Sequence, residues 1–182
     1  VQIIPPLVGP EFELCAPITP VADHRLLLPT STWRGWDGTC PNGMKMVAFI
    51  SEDGGVTWPE YADVMSDVES GIIYWESKIV RLSDRLLLAV AWAYDERNNA
   101  DLPNQYALSS DNGSTWTQPQ STGLQGQTMT PTVLADGRVL CLYRRMDKTG
   151  LWATVAHVSE AGWENRESEP LWGYQASSET TE

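Results

Sequence analysis

Apolar residues in this chain come in short runs rather than at helical spacing. Leu26-Leu27-Leu28, Met46-Val47-Ala48-Phe49-Ile50 and Leu86-Leu87-Leu88-Ala89-Val90-Ala91-Trp92 are each cut off by clusters of Gly, Pro, Asp, Asn or Ser. Short apolar runs bounded by turn residues are the pattern of buried strands. Helical signals are nearly absent, residues 59–65 being the one weak candidate. The pattern predicts an all-β chain.

The runs repeat. Ser51-Glu52-Asp53-Gly54-Gly55-Val56-Thr57-Trp58 reads S-x-D-x-G-x-T-W, and so does Ser109-Ser110-Asp111-Asn112-Gly113-Ser114-Thr115-Trp116, 58 residues later. A worn copy, Ser159-Glu160-Ala161-Gly162-Trp163, begins 50 residues after the second. A second marker keeps step: Asp23-His24-Arg25-Leu26, Asp84-Arg85-Leu86 and Asp136-Gly137-Arg138-Val139 precede the three boxes by 28, 25 and 23 residues. Two markers in the same order, three times over, define a repeating unit of roughly 50–60 residues.

Each unit reads as four strands. The first (14–21, 77–82 and 128–134) turns at the Asp into the second (25–32, 85–92 and 138–143). The third (44–50, 105–108 and 152–158) runs into the box, and the fourth follows the Trp. Four-stranded units at this period are propeller blades, predicted here at about 11–66, 72–122 and 125–173, with an unstructured tail over 174–182. Within the box, Asp can accept backbone N–H bonds, Gly supplies positive φ, and Thr and Trp pin the loop. Those residues serve folding, not chemistry.

Composition narrows the function. The 182 residues carry a net charge of −12, which argues against a phosphate-binding surface and against a polybasic membrane anchor. No apolar run reaches the roughly 18 residues that would span a bilayer as a helix. Nine Trp against two Phe is an unusual ratio, and flat indole faces suit both a core and a sugar-stacking surface. Three cysteines, Cys15, Cys40 and Cys141, match no disulfide framework or metal spacing, and His24 and His157 have no second ligand at useful distance in the sequence. No metal or cofactor is expected.

The boxes, their place between third and fourth strands, and the D-G-R-L-L-type hairpins resemble the sialidase (neuraminidase) superfamily of Asp-box (BNR) repeat proteins. The stretches 28–43, 72–103 and 124–153 are similar to those of bacterial sialidase-like proteins. The resemblance implies a six-bladed propeller of which this chain holds half, so the rest of the propeller or a second copy is needed to close the ring. It implies a glycoside hydrolase acting on terminal sialic acid or a related sugar; the alternative is a non-catalytic glycan-binding propeller. It also favours a secreted or periplasmic address for a longer parent.

The implied cleft lies on the rim away from the boxes, formed by 33–43, 94–104 and 144–150 and by the mouths of the inner strands. Glu13, Glu76 and Gln127 line up at those mouths, 10, 8 and 9 residues before their hairpin Asp. Sialidases use a Tyr nucleophile helped by a carboxylate, so the resemblance makes Tyr74, Glu76 and Asp37 the catalytic candidates. Arg144, Arg145 and Arg34 are candidates to hold a substrate carboxylate, because guanidinium forks match carboxylate geometry. The competing reading pairs these arginines with Asp95, Glu96 or Asp147. Trp33 and Trp36 could stack on sugar, and Gln125 and Gln127 could meet its hydroxyls. The F-R-I-P signature that carries the first Arg of the family is absent.

Overall fold

The computed structural model describes residues 3–145, 147–148 and 150–172, which form three antiparallel sheets without a helix. The first sheet contains β1 (Glu11–Glu13), β2 (Thr19–Ala22), β3 (Arg25–Trp33), β4 (Met46–Ser51) and β5 (Glu60–Met65). The second contains β6 (Ile72–Ser83), β7 (Leu86–Asp95), β8 (Ala100–Asp101), β9 (Gln105–Ser109) and β10 (Gln120–Ser121). The third runs β11 (Gln127–Val133), β12 (Val139–Arg145), β13 (Gly150–Ser159) and β14 (Gly162–Trp172). These are propeller blades, as the repeat predicts. Residues 60–65 form a strand rather than the weak helix, because Ala62, Val64 and Met65 bury against β4 and the sheet edge supplies the hydrogen bonds. The predicted first strand at 14–21 is split: β1 and β2 both pair with β3, and 14–18 bulges out between them. The tail over 174–182 lies outside the described residues.

The sheets stack face to face through two cores. Met46, Ala48, Ile50 and Met65 of the first sheet meet Ala89, Ala91, Ala93 and Ala107 of the second. On the other face of the second sheet, Leu88, Val90, Tyr106 and Leu108 pack with Met129, Val139, Cys141 and Tyr143 of the third. A strand covered on both faces reads as a continuous apolar run, which is why β7 shows no alternation.

The two intact boxes fold into the same network. Ser51 donates to Asp53 Oδ1 at 2.8 Å and accepts the Gly55 N–H at 2.8 Å; Ser109 donates to Asp111 Oδ1 at 2.8 Å and accepts the Gly113 N–H at 2.9 Å. The Thr hydroxyl donates to its Asp at 2.6 Å in both turns, and each indole N–H reaches the Gly carbonyl at 3.2 Å. Bonds from Thr57 pull the Asp53 carboxyl down to about 2. Burial works against the same shift at Asp111, yet bonds from Thr115 still bring it below the ordinary value.

Both turns sit at one end of the stack. Leu26 pairs with Ser51 and Leu87 with Ser109, so each box starts beside its own hairpin. Arg25 then ties the two blades together: it pairs with Glu52 of the first box and donates to the Asn112 carbonyl at 3.0 Å and the Ser114 hydroxyl at 2.8 Å of the second. The opposite rim is left for the inner-strand mouths.

Two outcomes follow from these turns. At Gly113, φ is +84° and an added Cβ would lie 2.4 Å from Leu27 Cδ1, whereas at Gly137, φ is +83° with open space around it. Gly137→Ala should cost about 1 kcal/mol of backbone strain, and Gly113→Ala should cost about 2 kcal/mol more because the blade interface is overpacked; urea midpoints measure both. Acid is the second lever. A carboxyl depressed by folding stabilises the fold above its ordinary value of 3.8, and that contribution disappears as pH falls toward about 2 for Asp53. Thermal melts should show this acid-sensitive component, and Asp53→Asn should remove much of it.

Candidate functional site

On the rim away from the boxes the inner strands are irregular. In the second sheet the pairing of β6 with β7 slips one residue between Trp75 and Lys78; in the third the pairing of β11 with β12 slips between Gln127 and Thr130. Each slip holds a non-glycine residue in the left-handed region, Glu76 at φ +50° and Thr128 at φ +56°. A β-bulge re-aims side chains and adds a main-chain N–H outside the regular ladder. The register therefore corrects the sequence alignment of the strand mouths. Glu13 opposite Ser31, Trp75 opposite Trp92 and Gln127 opposite Arg144 all precede an irregularity, and Glu76 is the bulge residue itself.

Glu76 sits in a charged cluster built by two sheets. Its N–H donates to Glu13 Oε2 at 2.7 Å, and its carbonyl accepts from Lys78 Nζ at 3.0 Å. Glu76 Oε2 is buried with no hydrogen-bond partner. Burial pushes the Glu13 carboxyl up and the Glu76 charge adds to it, while the Glu76 N–H and Lys78 oppose. Cys15 lies alongside, its thiol pushed up to about 11, first by burial, with Lys78 opposing and Glu13 and Glu76 adding. The residue itself is exposed, so the raised thiol lowers its thiolate fraction near neutrality without blocking access to it.

Beside the cluster lies an aromatic stack shared by two blades. Trp33 stacks on Trp75 with ring centroids 4.9 Å apart, and Trp75 lies against Trp92 at 4.3 Å and Tyr94 at 6.0 Å. All four side chains are half-buried. Trp92 donates to Asp101 at 2.7 Å and Tyr94 to Asn99 at 2.6 Å. The Trp75 indole N–H is buried without a partner, so an orphaned donor and an orphaned acceptor occupy consecutive residues of β6. Buried polar groups are nearly always hydrogen-bonded, so each of these two atoms calls for an explanation.

The other candidates divide. Trp33 is in the stack, but Trp36 stands wholly exposed at the tip of its loop. Asp37 accepts both the N–H and the hydroxyl of Thr39, at 3.0 and 2.7 Å, which hold its carboxyl below the ordinary range; it caps its own turn. Tyr74 is buried in the core between the first and second sheets, where burial, helped by Asp67, pushes its phenol up to about 12. That is a packing position rather than the place of an exposed nucleophile. Arg34 pairs with Glu96 across the two loops, and Arg145 pairs with Asp147 while lying 4.5 Å over the Trp152 ring. Arg144 is exposed and donates to Gln127. Gln125 donates to the Asp101 carbonyl at 3.0 Å, joining the second blade to the third.

Sequence reasoning missed the partnership of Glu13 with Glu76, which bridges 63 positions and leaves no local signal. It also missed Lys78 and the Trp75–Trp92 contact. The interruption of the aliphatic run of β7 by Trp92 was the available clue.

No protein-family model matches the chain, and no curated protein is similar enough to count as a relative. Solved structures do match. A protein of unknown function from Dyadobacter fermentans superposes with a TM-score of 0.59 at 25% identity, over 73% of this chain and 34% of its own. Hadza microbial sialidase Hz136 superposes with a TM-score of 0.60 at 14% identity, over 86% of this chain and 37% of its own. The fold is therefore sialidase-like, and the chain spans about a third of the length of either structure.

The raised Cys15 thiol has a direct readout. At pH 8 it should be alkylated by iodoacetamide at least about tenfold more slowly than a free cysteine, whose pKa is about 8.5. The rate should keep climbing until pH nears about 11; mass spectrometry of the Cys15 peptide follows it.

Proposed function

We propose that this chain is the three-blade portion, at about 11–66, 72–122 and 125–173, of a sialidase-like glycoside hydrolase with Asp-box turns. In this reading, the rest of a six-bladed ring, or a second copy, completes the cleft. The substrate is a terminal sugar of a glycan, sialic acid or a related one. Glu76 is the proton-transfer group: it takes a proton from an attacking water, whose oxygen bonds to the anomeric carbon as the glycosidic C–O bond breaks, and the leaving oxygen takes its proton from solvent. The observation that carries this reading is the Glu76 carboxylate, held at a strained bulge with one buried oxygen unpartnered, next to a second carboxylate and a stack of indoles.

The surrounding groups support a sugar ligand. A hydroxyl both donates and accepts, so one sugar could answer the acceptor on Glu76 and the donor on Trp75. Of the three candidate arginines, Arg34 and Arg145 are already held by carboxylates, which leaves Arg144 as the guanidinium best placed to meet an acidic substituent. Trp33, Gln125 and Gln127 would line the same surface.

One observation favours a binding module instead. Tyr74 lies in the core with its phenol pushed up to about 12, and Asp37 is occupied by Thr39, so the expected nucleophile and acid are both out of position. The two readings separate on fluorogenic sialosides and neutral glycosides, with a glycan array run on the same protein. Turnover is expected. Glu76→Gln should lower kcat by about 10²-fold with little change in KM, the scale of a lost proton-transfer group. Arg144→Ala should raise KM for acidic sugars alone. Array binding without turnover would establish the module; neither would remove both.

A further inference from the structure

The geometry points to Glu13 as the positioning residue for Glu76: a carboxylate of the first blade that anchors the proton-transfer residue of the second. This rests on the role given to Glu76 above.

Glu13 is itself fixed. It ends β1 in register with Ser31, and its carbonyl accepts the Thr30 hydroxyl at 2.7 Å. From there its side chain crosses to β6 and accepts the Glu76 N–H at 2.7 Å. A bulge residue sits outside the regular ladder, and its N–H needs an acceptor from elsewhere. Glu13 is that acceptor. Lys78 holds the carbonyl of the same residue at 3.0 Å, so both main-chain polar groups of Glu76 are clamped by charged side chains. The next residue is restrained too, since the Ser77 hydroxyl lies 3.3 Å from that of Ser31. The left-handed conformation at φ +50° is disfavoured for a side chain such as Glu, and persists only where surrounding contacts over-determine it. Here the Glu13 and Ser31 contacts come from another blade and the Lys78 contact from β6 itself.

The same contact makes Glu13 an electrostatic partner. The groups facing it are Glu76 and Lys78 from β6 and Cys15 beyond the end of its own strand. A like charge disfavours the ionised form of a carboxyl, and the Glu76 charge acts on Glu13 in that sense. Burial is the main reason the Glu13 carboxyl is raised, the Glu76 N–H opposes it, the Glu76 charge adds to it and Lys78 opposes. Docking of the first blade on the second therefore sets both where the Glu76 side chain stands and the charge it stands beside.

The test uses the full protein with Glu13→Ala, Glu13→Gln and Glu76→Gln variants. NMR titration of the Glu13 carboxyl, amide exchange at Glu76 and the split of kcat against KM are the three readouts. The Glu13 carbon should titrate above free glutamate, and Glu76→Gln should bring its midpoint down. Glu13→Ala should speed Glu76 amide exchange by about tenfold or more and lower kcat by about tenfold or more with KM nearly constant, as expected for loss of positioning. Glu13→Gln retains an acceptor oxygen and should recover kcat to within about threefold. Unchanged amide exchange in Glu13→Ala, or a Glu13 midpoint unmoved by Glu76→Gln, overturns the inference even if the protein hydrolyses glycosides. Coupled titration and faster exchange in a protein without turnover would overturn the hydrolase and uphold the anchoring of Glu76 by Glu13.

Discussion

Strand β7 is the constraint on which the rest of the described structure depends. It is buried on both faces, with Ala89, Ala91 and Ala93 toward the first sheet and Leu88 and Val90 toward the third. Small residues on one face let Met46, Ile50 and Met65 of the first blade come close, and large residues on the other fill the space before Met129, Val139 and Tyr143. A close-packed interior tolerates few voids, so the spacing of the blades is set by this alternation of size. Everything at the rim inherits that spacing.

Inheritance is clearest where side chains cross from blade to blade. Arg25 reaches the second box only because the first hairpin lies beside it. At the other rim, Trp33 meets Trp75 and Arg34 meets Glu96 across the same interface. The Glu13 carboxylate meets the Glu76 N–H there as well. The interface thus stabilises one end through a shared arginine and composes the candidate site at the other. Between the second and third blades, Asn104 performs a similar task. It is fully buried, donates to the Leu124 and Gly126 carbonyls, and so sets the entry of β11.

Polar groups at the rim fall into two classes by their partners. Asp37, Asp95 and Asp147 are engaged by neighbours within their own loops, and those bonds hold their carboxyls low. Such groups shape loops. Glu13 differs: burial pushes it upward and a like charge adds to the shift. The contrast singles out one cluster among many acidic residues in a chain of net charge −12.

The amino-acid sequence by itself determined the three repeating β units and the two box turns, while two of the sheets hold five strands rather than the four read from the repeat. Their information is local: the Ser, Asp, Gly, Thr and Trp of each box bond to one another within a few residues, so spacing alone specifies the network. It could not give the register at the rim, because one extra residue at each bulge shifts which side chains face each other, and no motif announces the shift at Glu76 or Thr128. Nor could it place Tyr74 in the core, since Tyr74, Trp75 and Glu76 stand side by side in the chain. The tertiary structure decided these points. Whether a side chain at a strand mouth is packed, paired or left with an orphaned oxygen depends on a neighbour 60 or more positions away, as at Glu13 and Glu76, brought there by the packing of β7.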